Sequence, residues 1–112
     1  MSAKIEYFGR EIRVLFDGEI DHPAASLMRV GIDDAILHKR PRLLTLDFGA
    51  VTFMDSSGIG LVMGRYKLMK TLGGKLAVEN LSPAAYKVMK LAGIDRLGKL
   101  QQKGSANKED AV

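Results

Sequence analysis

The residues with the most chemical potential are Asp55-Ser56-Ser57-Gly58, a carboxylate, two hydroxyls and a glycine in succession. After them Ile59, Val62, Met63, Tyr66, Met69 and Lys70 recur at three- and four-residue steps, so the four residues mark the start of a helix. Asp is a preferred N-cap, and the Asp55 carboxylate is placed to accept the amide hydrogen of Ser57 or Gly58. Ser56 then takes the first helical position, with its hydroxyl at the positive end of the helix dipole. A phosphoryl group on that hydroxyl would meet free amide hydrogens and would add about −1.5 to −2 charge beside Asp55. A small hydroxyl at an exposed helix start, next to glycine, suits a modification switch. The plain alternative is that two serines are simply good helix-start composition.

The templates of catalysis fit poorly. Ser56 and Ser57 are not in a Gly-x-Ser-x-Gly elbow, because Met54 and Asp55 stand where the motif needs other residues. Gly58, Gly60 and Gly64 miss the dinucleotide fingerprint by one residue and follow a loop instead of a strand. Gly73-Gly74-Lys75 lacks the earlier glycine of a phosphate-binding loop. His22 and His38 have no partners at metal-ligand spacing. There is no cysteine, which removes disulfides, thiolate metal sites and a cysteine nucleophile. The expectation is a protein with no catalytic residue, no metal and no cofactor, which works by binding.

Charge narrows the partner. The chain has 17 Lys+Arg against 13 Asp+Glu, a formal net charge of +4 over 112 residues. Residues 1–55 carry seven basic and nine acidic side chains, and residues 56–112 carry ten and four. The lysines of the second half fall singly among apolar residues, as on solvated helix faces. With no Trp, four Phe and three Tyr, a stacking platform for nucleic acid is missing, so no direct nucleic-acid partner is expected. The first residues lack the apolar stretch of a signal peptide, and no run reaches the roughly 20 apolar residues of a membrane span. A cytoplasmic protein with no membrane partner is expected.

The elements that must hold Ser56 follow from periodicity. Ile5 to Phe8 and the alternating Ile12, Val14 and Phe16 read as two strands joined by a tight hairpin at Gly9-Arg10, the second ending at Gly18. Ala25, Met28, Ile32, Ala35 and Ile36 trace a helix from Pro23 to about Lys39, with Asp21 as its cap. Leu43 to Phe48 reads as a central strand buried on both faces, and Gly49 to Met54 as a loop. Beyond the helix after Asp55, Lys75 to Val78 reads as a strand, and Ser82-Pro83 opens a third helix stopped at Gly93. Leu97 to Leu100 reads as a short last strand, and residues 101–112 as a polar, disordered tail. The order β-β-α-β-α-β-α-(β) predicts an α/β fold in residues 1–100, a mixed, mostly parallel sheet of four to five strands with about three flanking helices.

The run Val51-Thr52-Phe53-Met54-Asp55-Ser56-Ser57-Gly58-Ile59-Gly60, followed by Gly64-Arg65-Tyr66-Lys67, strongly resembles the anti-sigma-factor antagonists of the STAS domain family, and within it the sporulation sigma-F branch. Gly18-Glu19-Ile20-Asp21-His22, Gly73-Gly74-Lys75-Leu76, Leu81-Ser82-Pro83 and Leu91-Ala92-Gly93-Ile94 agree, so the resemblance covers about residues 5 to 100. It implies a small domain that, unphosphorylated, binds an anti-sigma factor with serine kinase activity and so frees a sigma factor. Phosphorylation would switch it off, and a serine phosphatase would restore it. The resemblance places the phosphoacceptor at Ser56, with Asp55, Ser57 and Gly58 supporting it. Asp21, His22, Thr52, Phe53 and Ile59 are assigned to the partner-binding surface, though Asp21 and His22 serve a helix cap equally well. Tyr66 belongs to the core by its place in the apolar stripe. A monomer is expected, with the further C-terminal helix of the sporulation relatives missing or only rudimentary. The other readings are a STAS module in a stress-signalling scaffold or ligand-sensing complex, and nucleic-acid binding through the basic second half.

Overall fold

The structure, a computed structural model, describes residues 2–104. The chain runs β1 (Ser2–Phe8), β2 (Glu11–Ile20), α1 (His22–Lys39), β3 (Leu43–Met54), α2 (Ser56–Thr71), β4 (Lys75–Leu81), α3 (Pro83–Leu91), a 3-10 turn (Ile94–Arg96) and β5 (Lys99–Gln102). The five strands form one sheet in the order β1-β2-β3-β4-β5, with β1 antiparallel to β2 and all other pairs parallel. This is the mixed, mostly parallel sheet with three helices that the periodicity predicts.

Parallel neighbours in sequence order require every crossover to lie over the same face of the sheet, because parallel crossovers are right-handed. That face is apolar. Ile12, Val14 and Phe16 of β2, Leu44, Leu46 and Phe48 of β3, and Leu76 and Val78 of β4 join Ile32 and Ile36 of α1, Leu61, Val62 and Met69 of α2, and Met89 of α3 in one buried cluster. The alternate residues face the other way and are mixed, with Leu15, Leu43, Thr45 and Ala77 among charged side chains. There Arg13 lies 3.1 Å from Asp47 and 3.0 Å from Glu79, and Asn80 donates to Asp47 at 3.0 Å. The molecule therefore has two layers, with helices on one side and a charged ladder on the other.

Local chemistry sets the helix boundaries. Asp21 accepts the Ala24 amide at 3.0 Å and Ser82 accepts the Ala85 amide at 3.1 Å, each followed by a proline in the first turn. Arg40, at φ 45°, turns left-handed and donates to Ile36, which ends α1 before Pro41.

Several boundaries differ from the periodicity: β1 begins at Ser2 instead of Ile5, β4 runs on to Leu81 instead of stopping at Val78, and β5 begins at Lys99 instead of Leu97. β2 does not end at Gly18 but continues to Ile20, with register shifts on either side of Gly18, whose φ is 93°. Gly49 to Met54 is not a loop but the second half of β3. It pairs with Asp17–Ile20 of β2, whereas β4 pairs only with Leu43–Asp47. A strand bonded along one edge, with Ala50, Thr52 and Phe53 exposed, carries no apolar alternation to reveal it. β5 takes in Gln101 and Gln102, and Lys103 still donates to Leu81 at 2.8 Å. The rest of the polar tail, and the expected lack of a further helix, fall on residues 105–112, outside the described residues.

The buried stripe of α2 also differs. It consists of Gly58, Leu61, Val62, Arg65 and Met69, while Ile59, Met63 and Tyr66 flank it half-buried and Lys70 is exposed. The stripe is centred on a charge because Arg65 has a partner on α1, Asp33, with Nε 2.7 Å from Oδ1 and Nη2 donating to Oδ2 at 3.3 Å.

Candidate functional site

β2 and β3 deliver their C-terminal ends side by side. The Asp55 amide donates to the Ile20 carbonyl at 3.1 Å, which brings the cap of α2 next to Asp21, the cap of α1. At Asp55 the chain leaves the sheet with an extended backbone, and its carboxylate turns back to accept the Ser57 amide at 2.8 Å. The Gly58 amide donates to the Asp55 carbonyl at 3.0 Å. The amides of Ser57 and Gly58 are therefore already engaged, and the free hydrogens expected from the sequence to hold a phosphate are taken at these two positions. A phosphate on Ser56 would compete with the Asp55 carboxylate for the Ser57 amide and face its charge.

Ser56, the first residue of α2, is exposed, Ser57 is half-buried and Gly58 is buried. Glycine is favoured at 58 because a Cβ there would run into Cγ and Sδ of Met54 unless that side chain shifts. We expect Gly58→Ala to lower stability by about 1 kcal/mol, the clash of about 1–3 kcal/mol outweighing the better helix propensity of alanine. Urea unfolding measures it. A gain in stability would show that Met54 moves aside freely.

Two depressions flank the first turn of α2. One, of about 410 Å³, lies between the end of β3 and the start of α3. It is lined by Thr52, Phe53, Asp55, Ser56 and Ile59 together with Ala85 and Val88. Phe53 is 55% exposed there and Val88 44%. The other, of about 190 Å³, lies between α1 and α2 and is lined by His22, Ser26, Arg29, Ser57, Gly60 and Arg65. The predicted residues thus divide. Ser56, Asp55, Thr52, Phe53 and Ile59 share the apolar groove, and Ser57 and His22 share the polar one. Asp21 spends its carboxylate on the cap of α1.

Arg65 is the functional-region residue that the apolar stripe did not identify. Burial pushes its guanidinium below the usual arginine range, Asp33 opposes that shift, and neighbouring Arg29 adds to it. Arg65 lines the polar groove, and its pair with Asp33 ties α1 to α2. A signal existed in the sequence only as Asp33 on one predicted helix and Arg65 on the next. A larger cavity of about 640 Å³ lies at the far end of α3, against Tyr86, Lys87, Lys90 and Arg96, and holds none of the predicted residues. Among the described residues no cluster of His, Asp and Glu could hold a metal ion, and no helix is long and apolar enough to cross a membrane.

Comparison with known proteins bears on this arrangement. Residues 8–107 match the STAS domain model. An anti-sigma F factor antagonist from Paenibacillus polymyxa is 30% identical over 97 residues, which span 87% of this chain and 83% of the relative. An anti-sigma-B factor antagonist from Bacillus subtilis is 32% identical over 84 residues, 75% of each chain. The structure of the anti-sigma factor antagonist SpoIIAA in its unphosphorylated form superposes with a TM-score of 0.78 at 28% identity, covering 98% of this chain and 96% of that one. SpoIIAA of Bacillus in its phosphorylated form gives 0.73 at 28% identity, covering 96% and 98%.

Proposed function

The chain belongs to the STAS domain family, and from that membership we propose that it is an anti-sigma factor antagonist switched off by phosphorylation on Ser56. The observation that carries this reading is the placement of Ser56. It is the one serine of the Asp55 cap that is exposed, at the rim of an apolar groove whose Phe53 and Val88 side chains are open to solvent. An apolar groove with exposed aromatic and aliphatic side chains is a surface that a protein partner buries. The partner is an anti-sigma factor with serine kinase activity. Thr52, Phe53 and Ile59 contact it in the groove, and His22 and the capping Asp21 contact it from the other side of the first turn of α2, where His22 lines the second groove.

The chemistry belongs to the kinase, and this chain supplies an acceptor. The γ-phosphoryl of ATP passes to Ser56 Oγ, ADP leaves, and the hydroxyl proton goes to a base of the kinase. The product carries a near-dianion where the groove meets the Asp55 carboxylate. A partner that fitted a neutral hydroxyl now buries or faces two like charges, and the complex separates. A serine phosphatase hydrolyses the ester and restores the binding form. The sequence of events is set in the cytoplasm, where sigma factors act.

The SpoIIAA structures support this reading because both a phosphorylated and an unphosphorylated form of that protein share the fold. Incubation with the cognate kinase and ATP, followed by peptide mass spectrometry, tests it. One phosphate on Ser56 is expected. Phosphate on Ser57, or on neither, would overturn the assignment.

A further inference from the structure

We propose that β1 is a homodimerisation edge, through which two copies of this chain join their sheets antiparallel about Ile5. The edge is open and long. β1 is the outermost strand, has seven residues and no proline, and pairs with β2 without a register shift. The opposite edge, β5, has only four. Edges of this kind invite another strand unless they are blunted by bulges, proline or charged side chains such as lysine. The lysine of this edge, Lys4, has Glu6 as a counter-charge on the same face.

The hairpin decides which backbone groups are available. Gly9-Arg10 is a two-residue loop closed by the pair Phe8 and Glu11, with φ +58° at Gly9. A closing pair of this kind is hydrogen-bonded, and the bonded pairs alternate along the ladder. Phe8, Glu6 and Lys4 therefore bond to β2, while Tyr7, Ile5 and Ala3 direct their N–H and C=O groups off the edge. A second copy with its two-fold axis at Ile5 finds Ile5 opposite Ile5 and Ala3 opposite Tyr7, all in hydrogen-bonding positions.

The same register pairs the charges. It sets Lys4 of each copy opposite Glu6 of the other, in the closer, non-hydrogen-bonded positions with Cα atoms about 4.5 Å apart. Lys4 Nζ already lies 3.6 Å from Glu6 Oε2 within one strand, and 75% of the Lys4 side chain is exposed. The two copies would complete a square of alternating charge. Centring the axis on Lys4 or Glu6 instead puts like charges together, and centring it on Ala3 or Tyr7 leaves the charges without each other. The edge is thus self-complementary in one antiparallel register, which is what a two-fold interface demands. Tyr7 and Phe8, 51% and 57% exposed, stand on the same edge and would be covered in part. This proposal departs from the monomer expected from the sequence. It does not depend on the phosphorylation reading, because β2 lies between β1 and β3, the strand that leads into Asp55.

Sedimentation velocity on the full chain at low salt, over a range from micromolar to millimolar, tests the proposal. A concentration-dependent dimer is expected. Lys4→Glu and Glu6→Lys, each placing like charges opposite one another twice, should raise the dissociation constant at least about tenfold. The double swap Lys4→Glu with Glu6→Lys should restore it to within about threefold of the parent, with unchanged circular dichroism throughout. Ala3→Pro, which removes only an outward N–H, should abolish the dimer while leaving the hairpin folded. A monomer at every concentration, or single and double swaps that dissociate alike, would overturn it. So would a dimer indifferent to all four variants, since another surface would then be responsible.

Discussion

Ser56→Asp is expected to weaken binding to the cognate anti-sigma factor by about a hundredfold, while Ser56→Ala binds as the parent does and stays bound when ATP is added. The cause is electrostatic. Ser56 sits exposed between the Asp55 carboxylate and an apolar groove, and the Ser57 amide, which could have offset a new anion, is already held by Asp55 at 2.8 Å. A carboxylate at position 56 therefore meets its neighbour's charge with the Ser57 and Gly58 amides already engaged. Placing it in an interface costs several kcal/mol, and about 2.7 kcal/mol corresponds to a hundredfold. Alanine removes only a hydroxyl that solvent already reaches, and with it the acceptor for phosphate. Isothermal titration of both variants against the anti-sigma factor, with and without ATP, measures the difference. Equal affinities for the two would mean that charge at the start of α2 does not control the partner.

The second large effect concerns stability. Asp33→Asn is expected to cost about 3 kcal/mol and Arg65→Leu about 2 kcal/mol, in that order. The Arg65 side chain is 6% exposed and that of Asp33 30%. Removing Asp33 strands a buried guanidinium, whereas removing Arg65 leaves a carboxylate that water can reach, so the second loss is the smaller. Each kcal/mol lowers Tm by about 4–8 °C in a domain near this size. The double replacement Asp33→Leu with Arg65→Leu should recover part of the loss, because the pair gives way to apolar packing between α1 and α2. Urea denaturation of the three variants checks the order. If Arg65→Leu proved the more damaging, the contact of Arg65 with the Leu61 carbonyl at 3.3 Å would outweigh the ion pair.

Much of this molecule is legible without coordinates. Alternation in Ile12, Val14 and Phe16, the three-four spacing of Ala25, Ile32, Ala35 and Ile36, and the pairs Asp21 with Pro23 and Ser82 with Pro83 each encode a local preference. Those preferences act over a few residues, so they can be read one segment at a time. Asp55-Ser56-Ser57-Gly58 is readable in the same way, as a carboxylate cap with a hydroxyl behind it. The second half of β3 was not, because its strand character comes from β2, its neighbour in space, and its own side chains are mostly exposed. Nor was the centre of the α2 stripe. An arginine reads as solvent-facing until a carboxylate on another helix, 32 positions away, is found 2.7 Å from it.

The candidate site divides along the same line. Residue order alone determined the element sequence, the helix caps and the hydroxyl that the motif presents, because these depend on the chain's own backbone and nearest neighbours. Only the tertiary structure decided that Ser56 opens onto a groove shared with Phe53 and Val88 while Ser57 faces His22 across a separate one. Adjacent residues at a helix start point about 100° apart, and what each meets there is supplied by elements distant in sequence, brought in by long-range packing.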